Sequence, residues 1–387
     1  MDVSPSGKAL AGFLLSGFLM ALPGVLLPVW GYYRDPPAFV TIGNYFLGTA
    51  GGMAVSPLLA RFLLGWKGLQ FFLIFACCVS CVALIYLAIV PPLASAWWRT
   101  GGLLALGLGA GAISLGLFHA ISASRWNGAA STLNRGGIWY GLGCLIASLL
   151  AAFTLSAYPA LVTLLLMAIV PGVFAAIYSR QEIPNAREPA APASFGQALR
   201  DFRGLGAVLF ALLLFFQFGN EWSIAGWLPL FLIRRIGLSP AAALRTLALY
   251  WLFLLLGRVA AVAVLPRVPH GVLLGTSVLA ALFGCLLLFF TNNGFGATSG
   301  VLLVGGGYAS IYPLVAEAIG HRFSYYHPGF FGGIFALAMI GGLLAPASVG
   351  YAAARLGVGV VMGIPLLGTC MVLVLLISIW VESGFSI

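Results

Sequence analysis

The chain has 387 residues, of which 62% are hydrophobic and only 7% charged, where a soluble domain carries about 25% charge. With a mean hydropathy of +1.09 this composition excludes a soluble globular domain and predicts an all-α polytopic membrane protein. The formal charge of +10 reflects eight acidic residues against 18 basic ones, and the basic residues stand singly at the ends of apolar runs, which excludes a nucleic-acid-binding face.

A membrane span needs about 20 apolar residues, and twelve stretches meet or approach that length: 9–30, 39–64, 69–90, 101–122, 136–155, 158–178, 205–232, 244–265, 270–290, 297–319, 329–353 and 358–381. The first begins after Lys8 without a small-x-small cleavage pattern before the second, so it reads as a retained helix. The second and third contribute Asn44 and Tyr45, Arg61 and Lys67, and the thiols Cys77, Cys78 and Cys81. Cys78 and Cys81 have C-x-x-C spacing without further ligands nearby, so small packing residues are expected there and no metal. The fourth span carries Ser114 and His119, and the fifth carries Trp139 and Tyr140.

One connection is long. Residues 179–203 are charged and broken by prolines, and they divide six spans from six. Within this loop Ser194 is a possible N-cap for a short surface helix with Phe195, Leu199 and Phe202 on one face. With the N-terminus inside, the inner ends and loops hold eleven Lys and Arg against six outside, so both termini are predicted cytoplasmic, in a cell membrane. The expected domains are a six-helix bundle at 1–178, a central loop at 179–203 and a second six-helix bundle at 204–387.

The seventh span, FALLLFFQFGNEWSIAGWLPLFL at 210–232, holds the residue on which the functional reading turns. An ionised acid at the centre of a membrane helix costs roughly 2.5–3.5 kcal/mol, so such groups face a wet cavity or a partner and mark a pathway. Glu221 is that acid. Gln217 lies four residues before it on the same helix face, Asn220 and Trp222 flank it, and Gly219, Gly226 and Pro229 interrupt the run. The bland alternative is a carboxylate that ties two helices together.

The halves repeat one another. Gly107, Gly109 and His119-Ala-Ile of the fourth span fall on Gly305, Gly307 and Glu317-Ala-Ile of the tenth at a shift of 198 residues; Leu27-Pro28 falls on Leu228-Pro229 at 201; Gly143 falls on Gly342 at 199. Twelve spans, a central loop and two related halves resemble the major facilitator superfamily over essentially the whole length. Gly257-Arg258 and G-G-L-L-A-P at 341–346 are similar to patterns common there, and N-E-W-S-I-A-G-W-L-P-L-F-L at 220–232 is similar to the seventh helix of the fucose-permease-like branch of sugar–proton symporters. Departures are visible too. The loop at 56–68 lacks the superfamily's Asp, Ala147 stands where an antiporter proline is expected, and spans one to six hold no carboxylate.

That resemblance implies two pseudo-symmetric six-helix bundles around a central cavity walled by spans 1, 4, 7 and 10. Candidate solute-binding residues are then Gln217, Asn220, Glu221, Trp222, Tyr308 and Tyr312 from the second half, with Asn44, Tyr45, Ser114, Trp139 and Tyr140 from the first. Aromatic faces with hydroxyl and amide groups suit a sugar-like ring, while a first span polar only at Ser16 implies a greasy wall. Glu221, or His119 because imidazole titrates nearest neutrality, is the candidate proton carrier. Arg258 and Glu317 are candidate gate residues, Glu317 pairing either with Arg258 or with Arg322.

The function expected is alternating-access transport of a small organic solute, as proton-coupled uptake or as proton-driven export of amphiphiles. A membrane sensor that binds without flux is the reading from another class. No clustered acids suggest an enzyme and no nucleotide-binding loop suggests ATP drive. Cofactors are not expected, the lipid bilayer is the one obligatory surrounding, and a monomer is expected, with the Gly137–Gly141 and Gly329–Gly333 spacings serving contacts inside the bundle.

Overall fold

A computed structural model describes residues 7–35, 38–91, 95–122, 129–180, 202, 204–265, 267–322 and 333–383. The surface helix expected at 194–202 and the Gly329–Gly333 spacing lie wholly or partly outside the described residues. All of the regular structure described is helical, and a helix satisfies its backbone groups internally where no water is present to do so. The helices are α1 (Gly7–Val29), α2 (Phe39–Ile89), α3 (Ala96–Ser122), α4 (Ala129–Thr154), α5 (Ala160–Arg180), α6 (Leu205–Phe231), α7 (Pro240–Val264), α8 (His270–Phe290), α9 (Gly294–Arg322), α10 (Gly333–Leu356) and α11 (Val360–Glu382).

Among the described residues, then, eleven helices are long and apolar enough to cross a membrane, one fewer than the number of spans expected. The difference lies in α2, whose 51 residues would extend about 77 Å at 1.5 Å per residue, more than twice the roughly 30 Å hydrocarbon core. Gly68, at φ 79° and ψ −179°, breaks that helix into two arms. The arms coincide with the second and third predicted spans. A second glycine with positive φ, Gly237 at 79°, closes the π-helical turn Leu232–Ile236 that ends α6, and Ser239 caps α7 by accepting from the Ala242 N–H with Pro240 in the first turn.

Packing follows close backbone approach, as expected where lipid removes the hydrophobic drive between helices and small residues set the interface. The glycines show the internal repeat in three dimensions. Gly107 abuts the backbone of Thr49, and Gly305 abuts that of Tyr250; Gly102 meets Leu87, and Gly300 meets Leu288. Gly143 lies on the Leu14 carbonyl, and its counterpart on the Phe215 carbonyl is Gly341. Gly342, the match expected from sequence, faces the Trp222 and Phe218 side chains instead. In each pair the second contact is the first displaced by about two hundred residues on both partners, so the chain builds the same junctions twice.

Within the earlier part of the chain α1 packs on α3 and α4, and α2 on α3 and α5; within the later part α6 packs on α10 and α11, and α9 on α7 and α8. The two parts meet through α4 with α7, α2 with α10 and α1 with α6. Several serine and threonine hydroxyls inside the helices are satisfied locally: Thr49 donates to Tyr45 O at 3.0 Å, Ser80 to Ala76 O at 2.9 Å and Ser148 to Cys144 O at 3.0 Å.

Candidate functional site

Along α1, Phe13, Ser16 and Met20 turn toward α3, α4 and α6 and begin a cavity of about 90 Å³. Its walls continue with Met53 of α2, Ser114, Phe118 and Ile121 of α3, Gly136, Gly137 and Tyr140 of α4, Phe218, Glu221 and Trp222 of α6, Arg258 of α7, Tyr312 and Pro313 of α9 and Met339 of α10. The cavity therefore draws on both parts of the chain. A second space of about 40 Å³ shares Met20, Met53, Tyr140 and Trp222 with it and continues past Pro23, Gly24, Phe46, Ala225 and Trp251. Beyond this the passage narrows. Gly24 sits on the Ala225 carbonyl and the Gly226 backbone, Gly226 meets the Phe46 ring, and at the same end Arg234 donates to Tyr33 O at 2.9 Å and to Asp35 Oδ1 at 2.8 Å.

Among the described residues, two charges and two serines stand in a lining that is otherwise aromatic and apolar. Glu221 is 5% exposed and Arg258 is 5% exposed, and both line the larger cavity. An acid and a base held together out of water offset each other's field, whereas either alone would be strongly unfavourable. The Arg258 guanidinium has a second role, since its Nη1 donates to the Gly137 carbonyl at 2.5 Å and so reaches from α7 to α4. Ser16 and Ser114 are joined through their hydroxyls at 2.8 Å, and Ser114 also donates to Ala110 O at 2.9 Å. Tyr312 is tilted against Phe218 and stands edge-on to Phe335, with ring centroids 5.2 and 6.0 Å apart. Such a lining presents ring faces and a few hydrogen-bonding groups around a buried carboxylate.

Of the residues expected at the site, Glu221, Trp222, Tyr312, Ser114, Tyr140 and Arg258 share the cavity. The others are placed elsewhere. Gln217 is fully buried with both amide atoms unpartnered, and it is not among the residues lining either space. Asn220 points to α11, where Nδ2 donates to Thr369 Oγ1 at 3.3 Å. Tyr308 is fully buried, its hydroxyl bonded to Thr369 at 2.8 Å and near Cys285 Sγ at 3.5 Å. Asn44 accepts from the Tyr351 hydroxyl at 2.5 Å, Tyr45 is hydrogen-bonded to Tyr32 within a cluster held by Arg99, and Trp139 is exposed on the outside of the bundle. His119 is half-buried, one residue beyond Phe118 of the lining.

Glu317 pairs with neither arginine considered for it. Its carboxylate lies 3.3 Å from His270 Nε2 and 3.8 Å from His321 Nε2, while Arg322 binds Glu382 in a two-pronged contact at 2.5–2.6 Å. These contacts brace α9 to α8 and α11. Among the described residues no group of three His, Cys, Asp or Glu side chains is placed to hold a metal ion.

The residues that sequence reasoning missed are the apolar ones: Phe13, Phe118, Phe218, Met20, Met53 and Met339. In a chain this hydrophobic, a lining phenylalanine has no sequence mark that separates it from a lipid-facing one. Methionines near mid-span are the one available signal, because the flexible thioether adapts to irregular cavities. Trp251 was missed as well; its buried Nε1 is unpartnered and it lines the smaller space.

No protein-family model matches the sequence, and no curated protein matches it. Solved structures do match. The fold is similar to that of FucP, a major facilitator superfamily transporter in the outward conformation, at a TM-score of 0.67 and 16% identity over 98% of this chain and 99% of that one. It is similar to a variant of the E. coli fucose:proton symporter FucP at a TM-score of 0.65, 15% identity and coverage of 98% and 99%. A variant of the nucleoside transporter NupG gives a TM-score of 0.71 at 14% identity, covering 99% of this chain and all 100% of the other. With its apolar helices, its repeated junctions and a charged cavity between them, this chain has the fold of the major facilitator superfamily transporters.

Proposed function

We propose that the chain is a secondary active transporter of that superfamily, carrying a small organic solute with protons across a cell membrane by alternating access. Twelve spans, the arms of α2 counted separately, form two six-helix halves at 1–178 and 204–387 that rock about the site, with the 179–203 loop and both termini in the cytoplasm. The transporting unit is a single chain: the Gly137–Gly141 face is occupied by Arg258 and Leu255 of its own α7. The observation that carries this reading is the placement of Glu221 and Arg258 in one cavity lined by helices from both parts of the chain.

The solute is sugar-like with an apolar portion. Tyr140, Trp222 and Tyr312 offer ring faces, Ser16, Ser114, Glu221 and Arg258 offer hydrogen bonds, and phenylalanines and methionines supply most of the apolar lining. The fold's likeness to a fucose:proton symporter and to a nucleoside transporter agrees with a sugar-bearing solute. The same greasy lining supports a second reading, proton-driven export of amphiphilic compounds.

Purified protein is screened by thermal shift with sugars, organic acids and amphiphiles, and the stabilising compound is then followed in proteoliposomes under opposite pH gradients. Uptake concentrated by an acidic exterior is expected. Accumulation driven only in the export direction selects the second reading, and saturable binding without flux in either direction overturns both in favour of a sensor.

A further inference from the structure

Arg99 is a buried cation that the transport reading does not use. It stands in the first turn of α3, at the end of the bundle where α1 stops and α2 begins, and it is 8% exposed. Its Nη1 donates to the Tyr32 hydroxyl at 3.0 Å, and that hydroxyl is bonded in turn to the hydroxyl of Tyr45. Its Cζ lies 5.3 Å from the centre of the Trp30 ring and 5.8 Å from that of Tyr32. The guanidinium is therefore clamped against rings and held along one edge by a hydroxyl. Its other edge is unused: Nε is buried without a hydrogen-bond partner, and among the described residues Arg99 forms no ion pair.

No carboxylate of the described residues neutralises this charge. Of the connections between helices at this end, only 30–38 carries an acid, Asp35, and Asp35 is engaged by Arg234 at 2.8 Å. A tyrosine hydroxyl, with an ordinary pKa near 10, is neutral at pH 7. Ring faces attract a cation but bring no net negative charge to a desolvated one. The position adds to the imbalance, because the N-terminus of a helix carries partial positive charge and favours anions over cations. One bound anion would reverse both unfavourable terms.

We infer that Arg99 and the start of α3 form a binding site for the oxyanion of a phosphate group, separate from the transport cavity. The chemistry is that of the guanidinium fork. With Nη1 engaged by Tyr32, the Nε–H and Nη2–H edge remains, and such an edge grips two oxygens of one phosphate in parallel. The stacked rings and the Tyr32 bond fix the plane of the fork in advance, so little freedom is lost on binding. Trp97 and Trp98, immediately before Arg99, are 72% and 61% exposed, and exposed tryptophans at the end of a span sit at the level of lipid headgroups. The phosphate within reach there is that of a phospholipid, in the outer leaflet when the termini are cytoplasmic, or a free phosphate from the water beyond it. Tyr45 precedes Phe46, whose ring meets Gly226 at the narrow end of the passage, so the site adjoins the elements that close that end.

The test titrates the full chain in detergent with short-chain phosphatidylglycerol, with short-chain phosphatidylcholine and with inorganic phosphate at constant ionic strength, following the melting temperature. Phosphatidylglycerol is expected to stabilise the wild type at a concentration at least about tenfold below that needed of the zwitterionic lipid, as a charge-assisted pair implies. Arg99→Lys keeps the charge and loses the fork, and Tyr32→Phe keeps the ring and loses only the hydroxyl that orients Arg99; both are expected to shrink the difference to less than about threefold. Arg355→Lys, at an exposed arginine in the last turn of α10, is expected to leave it unchanged. Stabilisation of the wild type by inorganic phosphate as well, lost in Arg99→Lys, assigns the site to the free oxyanion; stabilisation by phosphatidylglycerol alone assigns it to the headgroup. If Arg99→Lys does not fold, Tyr32→Phe decides. Equal response to the two lipids with none to phosphate overturns the site, and so does a preference for phosphatidylglycerol that survives undiminished in Tyr32→Phe.

Discussion

Arg258 on α7 donates to the carbonyl of Gly137 on α4 across 2.5 Å, so a basic residue lining the cavity is also a strut between helices from opposite parts of the chain. The sequence already separates these roles from those of the other arginines. Arg234, Arg235 and Arg322 lie at helix ends and find partners there, whereas Arg258 sits within α7 and is 5% exposed. A buried cation at that depth is stable only with an anion and dipoles arranged around it, and Glu221 and the Gly137 carbonyl supply them.

Tyrosines four residues apart on α9 are predicted to respond differently. Tyr312 lines the cavity and Tyr308 does not. Tyr312→Ala removes a ring face worth about 0.5–1.5 kcal/mol and is expected to raise the half-saturation concentration for transport roughly three- to tenfold. Tyr308→Phe deletes the hydroxyl bonded to Thr369 at 2.8 Å, lowering stability by about 0.5–1.5 kcal/mol with half-saturation unchanged. Initial-rate kinetics beside thermal melts of the two variants separate these effects.

Glycine substitutions should divide by what a methyl group would meet. At Gly143 a Cβ overlaps the Leu14 backbone, whereas at Gly51 it meets nothing within 4 Å. Gly143→Ala is expected to destabilise by about 1–3 kcal/mol through forced separation of α4 from α1. Gly51→Ala should be neutral or stabilising by up to about 1 kcal/mol, the intrinsic helix preference of alanine. Thermal melts in one detergent compare them directly.

At the narrow end, Arg234 holds Tyr33 O and Asp35 together. Asp35 is 82% exposed, and an ion pair so wet is worth at most about 1 kcal/mol. Asp35→Asn should therefore shift opening at this end less than about fivefold, and Arg234→Ala, which also loses the carbonyl bond, more. Label distances between the exposed Tyr158 and Phe295 positions report that opening.

Much of this architecture was legible before any coordinates. Hydropathy alone located the spans, because a helix in lipid needs a long apolar run and little else does. The repeat was visible in Gly107/Gly305 and Leu27-Pro28/Leu228-Pro229, since junctions built twice demand small residues twice. The pairing of Gly143 was displaced by one position, to Gly342 in place of Gly341, because adjacent glycines read alike in sequence and only the Phe215 carbonyl distinguishes them. At the site, the charges were legible and their partners were not. Glu221 and Arg258 stand out as unfavourable residues in apolar runs, but whether Tyr308, Asn220 or Tyr312 faces a cavity depends on the rotation of α6 and α9, which their nearly uniform hydrophobicity leaves unmarked. The same ambiguity sent Glu317 to an arginine when the histidines of α8 and α9 were its neighbours.

The central claim is that Glu221 carries the proton that drives the solute. Proteoliposomes containing wild type and Glu221→Gln are compared for two activities with the same stabilising solute: accumulation under an inward proton gradient, and exchange of labelled for unlabelled solute with no gradient. The account predicts that Glu221→Gln loses accumulation, at least about a hundredfold in the ratio reached, while exchange continues. Accumulation by Glu221→Gln equal to that of wild type would contradict it.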